Sequence, residues 1–153
     1  VLRHTTCNVA IVAGDVTRSA LPEIESVLVP IDAPDGAAHA VAVACALARP
    51  GGRVLLLHVA SKALDDDARA SWRRDLLKLA PAACVKLGIA VAASVLDDDD
   101  AAAAIAATAV GEGADLVCMR ARAHRGGRLA LGSVLDRVIA RCTRPIVVVR
   151  DEL

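Results

Sequence analysis

The chain has 153 residues, which favours a single domain, and 56% of them are hydrophobic, enough to bury an ordinary core. Its formal net charge is zero, so no global field draws it to nucleic acid or to an anionic membrane. Trp72 is the only residue among Phe, Tyr and Trp, so the core must be built from Val, Leu, Ile and Ala, without the aromatic platforms on which single-stranded nucleic acid stacks.

No apolar run approaches the roughly 18 residues that span a bilayer. The most apolar stretch, Ala37 to Ala48, is shorter and mostly Ala. No signal-peptide pattern stands at the start. These features predict a cytoplasmic segment that contacts neither membrane nor nucleic acid. Cys7, Cys45, Cys84, Cys118 and Cys142 are scattered without C-x-x-C spacing. They are expected as small buried hydrophobes in a reducing compartment, not as zinc ligands or disulfides. The chain opens at Val1 without an initiator Met, which suggests a fragment or missing first residues.

Residues 1–25 differ in character from the rest of the chain. Cys7 to Val12 reads as a short strand, and Gly14, Asp15 and Pro22 mark a linker. Val27 to Ile31 is the next strand, ending in the turn-rich run Asp32 to Gly36. Ala37 to Ala48 is helical by propensity and is stopped by Pro50, Gly51 and Gly52. Val54 to Val59 is a continuous apolar run, which reads as a strand covered on both faces. Asp65 to Leu87 is helical, with Trp72, Leu76, Leu79, Ala80, Ala83 and Leu87 as its apolar stripe. Pro81 lies inside it and lacks a backbone donor, which predicts a kink or break.

Ile89 to Val95 is a further strand. Asp97 to Asp100 precede an Ala-rich helix ending near Gly111 or Gly113 and complement its dipole. Leu116 to Met119 is the fourth strand of the series. A loop rich in Arg then runs to Ser133, where an amphipathic helix to Arg141 starts with a capping-box-like Ser-x-x-Asp pattern. Ile146 to Val149 is the fifth strand. Alternating apolar strands and amphipathic helices imply an α/β fold, a doubly wound open parallel sheet with helices on both faces.

The two ends of the chain echo each other. Val138 to Val149 and Val1 to Val12 each read as a helix end, a polar turn and an apolar strand. Residues 1–25 are therefore expected to be the remnant of a preceding copy of the domain, with 26–153 forming the domain proper. Strand 7–12 is expected to pair with strand 146–149, because both would otherwise be uncovered apolar edges.

Residues Val27 to Asp32, Val54 to Val59, Gly113 to Met119 and Leu131 to Arg150 resemble, in order and spacing, the universal stress protein family. The resemblance covers about residues 26–150. It implies a five-stranded parallel sheet of order 3-2-1-4-5, of the adenine-nucleotide alpha-hydrolase-like type, with the strand at 7–12 as a short addition. It implies a stress-response or regulatory role without catalysis. The implied partners are a second copy, forming a homodimer through the last strand, or a preceding universal-stress domain. The implied ligand is ATP or another adenine nucleotide. By this resemblance Asp32 contacts the ribose, and Pro30, Ile31 and Val59 lie near the adenine. The phosphate loop follows G-x-x-G, nine residues, then G-[S/T]. Gly132, Ser133 and Val134 match its end. Counting from Met119 puts Arg120 and Ala123 at the glycine positions, and only eight residues then precede Gly132. Counting back from Gly132 lands on Arg122. Arg120 and Ala123 would carry a left-handed penalty of roughly 1–2 kcal/mol each in the glycine conformation. The site is therefore expected to be degenerate, with Arg120, Arg122, Arg125 or Arg128 available to pair with phosphate.

Other readings of these residues are weaker or different in class. His58, inside an apolar strand, reads as a satisfied core residue, and His124 as exposed. Ser133 lacks an identifiable base or orienting acid, so it does not read as a nucleophile. A regulatory domain of a larger protein, such as a membrane transporter, is one alternative. An ATP-using enzyme of related fold is another, but the Asp32 to Gly36 turn offers only one Gly to grip phosphate.

Overall fold

The computed structural model describes residues 7–12, 23–123, 129–130 and 132–150. In chain order its elements are β1 (Val9–Ile11), β2 (Ser26–Pro30), α1 (Ala38–Leu47), β3 (Arg53–Ala60), α2 (Asp66–Leu77), α3 (Ala82–Lys86), β4 (Ala90–Asp97), α4 (Ala101–Gly111), β5 (Leu116–Ala123), β6 (Leu129–Ala130), α5 (Ser133–Arg141) and β7 (Ile146–Arg150).

The sheet runs β1-β7-β5-β2-β3-β4, with β6 attached to β5. Pairings of β2 with β3 and β5, of β3 with β4, and of β5 with β7 are all parallel. The α/β sheet is thus mostly parallel, as the apolar runs predict, with the first strand of the series at its centre. It exceeds the expected five strands by β1 and by the short β6. β1 lies antiparallel on β7, with Val9 opposite Val148 and Ile11 opposite Ile146. Asn8 extends that contact, its side-chain oxygen accepting from the Arg150 N–H at 2.9 Å.

Side chains alternate across each strand, so one apolar run feeds two cores. Val27, Val29, Val54 and Leu56 face α1, α2 and α3, where Val41, Leu76 and Cys84 meet them. Leu28, Leu57, Val117 and Val148 face α4 and α5, against Ala102, Ile105, Leu135 and Val138. This is why the central strands show no polar alternation.

The predicted helix 65–87 is broken. α2 ends at Leu77, and Pro81 stands at the N-terminal cap of α3. Two tight backbone bonds, Leu79 N–H to Leu76 and Ala80 N–H to Leu77, close the intervening turn. α3 turns away from the stripe expected for one continuous helix, which leaves Leu87 exposed while Cys84 is buried.

The cysteines depart from expectation. Cys45 on α1 and Cys84 on α3 form a disulfide, with Cα atoms 6.3 Å apart. Topology brings together two helices that spacing does not link. Cys118 and Cys142 are buried and unpaired, while Cys7 is exposed. Burial pushes the Cys118 thiol up to about 12, so it stays protonated and unreactive.

The acidic run before α4 is structural. Asp100 caps the helix, accepting from the Ala103 N–H. It also receives Arg137 and Arg141 from α5, so one carboxylate ties the two helices of that layer. The Arg141 hydrogen bond holds its carboxyl below the ordinary range, with the Ala103 N–H adding to the effect. Asp97 pairs with Arg69 of α2.

Candidate functional site

The strand order reverses between β2 and β5, which are parallel neighbours. The connection through α1 leads from β2 to β3 on one side, while β5 lies on the other. Ligands of open α/β sheets bind at such a switch point, outside the carboxyl ends of the strands. A cleft of about 610 Å³ opens there. This is within the size range of small-molecule sites.

Three groups of residues build it. From the end of β2 come Pro30, Ile31 and Asp32; from β3 come Leu57 and Val59; from β5 come Met119 and Arg120. The starts of two helices close it, with Ala101 and Ile105 of α4, and Gly132, Ser133, Val134 and Leu135 at α5. The floor is aliphatic, and the polar groups Asp32, Arg120 and Ser133 stand at the rim. Asp32 is exposed, and its Oδ1 accepts from the Ala33 N–H at 2.9 Å.

Of the residues singled out from sequence, Pro30, Ile31, Asp32, Val59, Met119, Arg120, Gly132, Ser133 and Val134 all line this cleft. Arg122 and Ala123 are placed by their backbones, which belong to β5 and pair with Ala130 and Leu129 of β6. Arg125, Arg128 and His124 lie outside the described residues.

The predicted loop after Met119 is therefore wrong in its first part. β5 runs on to Ala123 and forms a hairpin with β6. No non-glycine residue among those described has a positive φ, so the expected left-handed penalty is not incurred. Without glycine at positions 120 and 123 the backbone takes the extended form open to any residue, and its polar groups join a ladder instead of facing a phosphate.

Arg120 also turns away from a simple clamp. Its guanidinium donates to the Asp35 carbonyl at 2.7 Å. It packs over Gly36, where a Cβ would stand 2.7 Å from it, and Gly36 has φ +74. Its positive φ is what favours glycine here, since an added Cβ would only have to displace the mobile end of the Arg120 side chain. The contact ties the turn after β2 to β5 beneath the rim.

The helix-terminal half is nearer to expectation, with one shift. Gly132 is the N-terminal cap of α5, and no side chain makes a capping bond. Ser133 is the first helical residue, so the predicted Ser-x-x-Asp box does not form. The first N–H groups of α5 have no partner inside the helix and face the same cleft.

Sequence reasoning missed Leu57, Ala101, Ile105 and Leu135. Leu57 shares a face with Val59 by strand alternation, and Ala101 and Ile105 share one by helical spacing. Those signals were legible, but only the topology shows that the faces meet. Among the described residues, no group of three or more His, Cys, Asp or Glu could hold a metal ion. No helix among them is long and apolar enough to cross a membrane.

Solved structures share this architecture. The universal stress protein UspA from Lactobacillus plantarum is 20% identical, with a TM-score of 0.64 over 85% of this chain and 100% of that one. A universal stress protein from Archaeoglobus fulgidus in complex with dAMP is 19% identical, with a TM-score of 0.63 over 84% of this chain and 99% of its own. Another Archaeoglobus fulgidus universal stress protein is 21% identical, with a TM-score of 0.62; the match covers 97% of this chain and 51% of that one. At such identities the likeness shows the fold. No curated protein sequence matches the chain. The family model described as "Universal stress protein family" matches residues 23–150, so that β2 to β7, the switch point and the cleft fall within it while β1 lies outside, and the chain belongs to that family.

Proposed function

We propose that this domain binds an adenine nucleotide in the cleft at the β2–β5 switch point, as a cytoplasmic stress-response or regulatory module that does not catalyse. One observation carries the reading. An aliphatic floor from β3, β5 and α4, the Asp32 carboxylate and the amino end of α5 converge on one cleft. An aliphatic slot suits a purine, Asp32 suits ribose hydroxyls, and a helix N-terminus suits a phosphate. The dAMP complex of the Archaeoglobus fulgidus protein supports the ligand class. ATP is included, although the β5–β6 ladder engages backbone that a phosphate tail could otherwise use.

The test is thermal. Millimolar AMP, ADP and ATP are each expected to raise the melting temperature, and Asp32→Ala to abolish the shift. A ligand at 100 times its Kd adds about 2.7 kcal/mol. Absence of a shift with all three nucleotides removes the binding reading and leaves an assembly domain.

For the partner, we favour a preceding universal-stress domain over a homodimer through the last strand. β1 already occupies the outer edge of β7 in the antiparallel sense. The Archaeoglobus fulgidus chain that covers 97% of this one is about twice as long, since the match spans 51% of it. Both support residues 1–25 as the tail of an earlier copy.

A further inference from the structure

His58 sits on β3 between two cleft residues, Leu57 and Val59, yet points to the opposite face of the sheet. It is 8% exposed. Its ring is stacked on the Trp72 indole, with centroids 3.5 Å apart and planes 11° from parallel. Its Nδ1 lies 2.9 Å from the carbonyl oxygen of Ile31. A carbonyl only accepts, so Nδ1 carries the proton and donates. The Ile31 N–H in turn donates to the Leu57 carbonyl at 2.8 Å. Both backbone polar groups of Ile31 are thus held from β3, the N–H by the Leu57 carbonyl and the carbonyl by the His58 ring. The Ile31 carbonyl belongs to the peptide that leads into Asp32.

We propose that His58 is a positioning residue for the cleft: its Nδ1–H fixes the Ile31–Asp32 peptide and so aims the Asp32 carboxylate at a bound nucleoside. The role rests on the nucleotide reading of the cleft. His58 does not touch the ligand. Trp72 lies flat on the imidazole and restricts its rotation. Without the donor the Ile31 carbonyl is left unsatisfied in a buried position, and the peptide rotates toward another partner. Asp32 turns with it, because its own N–H belongs to that peptide.

Two variants of the full chain separate the hydrogen bond from the stack. His58→Leu removes both. His58→Asn removes the ring but keeps an N–H donor the same number of bonds from Cα as Nδ1. Affinity for AMP is measured by calorimetry, with melting temperature and amide hydrogen exchange at Asp32 and Ala33 alongside. His58→Leu is expected to weaken AMP about ten-fold, equivalent to about 1.4 kcal/mol, while His58→Asn stays within about three-fold of the parent. Amide exchange at Asp32 and Ala33 is expected to accelerate in the Leu variant and to be restored in the Asn variant. A purely structural role would lower both melting temperatures without this split. Unchanged affinity in His58→Leu, or equal losses in the two variants, overturns the proposal. If the parent protein binds no AMP, the nucleotide reading has failed, and exchange then decides this one. Unaltered exchange at Asp32 and Ala33 in His58→Leu overturns it, and restoration by Asn upholds the positioning.

Discussion

Reduction of the Cys45–Cys84 disulfide is expected to lower stability by about 4 kcal/mol. The bridge closes a loop of 39 residues. Loop-closure entropy of the unfolded chain gives about that value at this length, within a usual range of about 2–4 kcal/mol. Urea unfolding with and without a thiol reductant measures the difference, and Cys45→Ala should reproduce the reduced value. A Cys45→Ala protein as stable as the oxidised parent would mean that the bridge contributes nothing. The same pair bears on the compartment. Titration against glutathione gives its reduction potential. A potential below the cytosolic poise keeps the bridge closed in the cytoplasm, and a higher one leaves it open there. The linkage matters for the fold because α3 is a single short helix between a proline and β4. The bond to α1 fixes it to the layer that covers β2 and β3.

The second large effect separates two neighbouring leucines of α2. Leu76 is fully buried, at 0% exposure, whereas Leu77 is 45% exposed. Leu76→Ala leaves a cavity in the core cluster that Leu76 shares with Val54, Leu56 and Cys84 and is expected to cost about 2–5 kcal/mol. Leu77→Ala is expected to change stability by no more than about 0.5 kcal/mol. Denaturant midpoints of both variants make the comparison, and equal losses would show that α2 does not present the Leu76 face to the sheet.

Legibility followed the range of the interactions involved. The strands of the parallel sheet were readable because a strand covered on both faces must be apolar at successive positions, as in Val27–Val29 and Val54–Leu57. The break in the 65–87 helix was readable because Pro81 removes a donor. The bounds of α5, Ser133–Arg141, were readable, but its cap was misassigned: Gly132 and Ser133 are both acceptable caps, and side-chain chemistry favoured Ser. β5 was cut short at Met119 because Arg120 and Arg122 look like loop residues. Pairing of Arg120 with Val149 of β7, and of Arg122 with Ala130 of β6, makes strand residues of them. The disulfide was unreadable for a related reason. Cys45 and Cys84 meet through the packing of α1 and α3, and no local spacing encodes that contact. In the cleft, residues next to strand ends were found from sequence, whereas those contributed by packing, such as Ile105, were not.

The antiparallel contact between β1 and β7 has a consequence for the order of assembly. Val9 and Val148 are partners from nearly opposite ends of the chain. Closing so long a loop is entropically unfavourable until the intervening sheet has formed. During synthesis β1 emerges before the strand it must join, and remains without that partner until β7 has left the ribosome. The centre of the sheet, β2 with β3 and β4, can form earlier from nearer segments. Docking of β1 is therefore a late step, and the cleft between β2 and β5 can take shape before the outer edge of the sheet is closed.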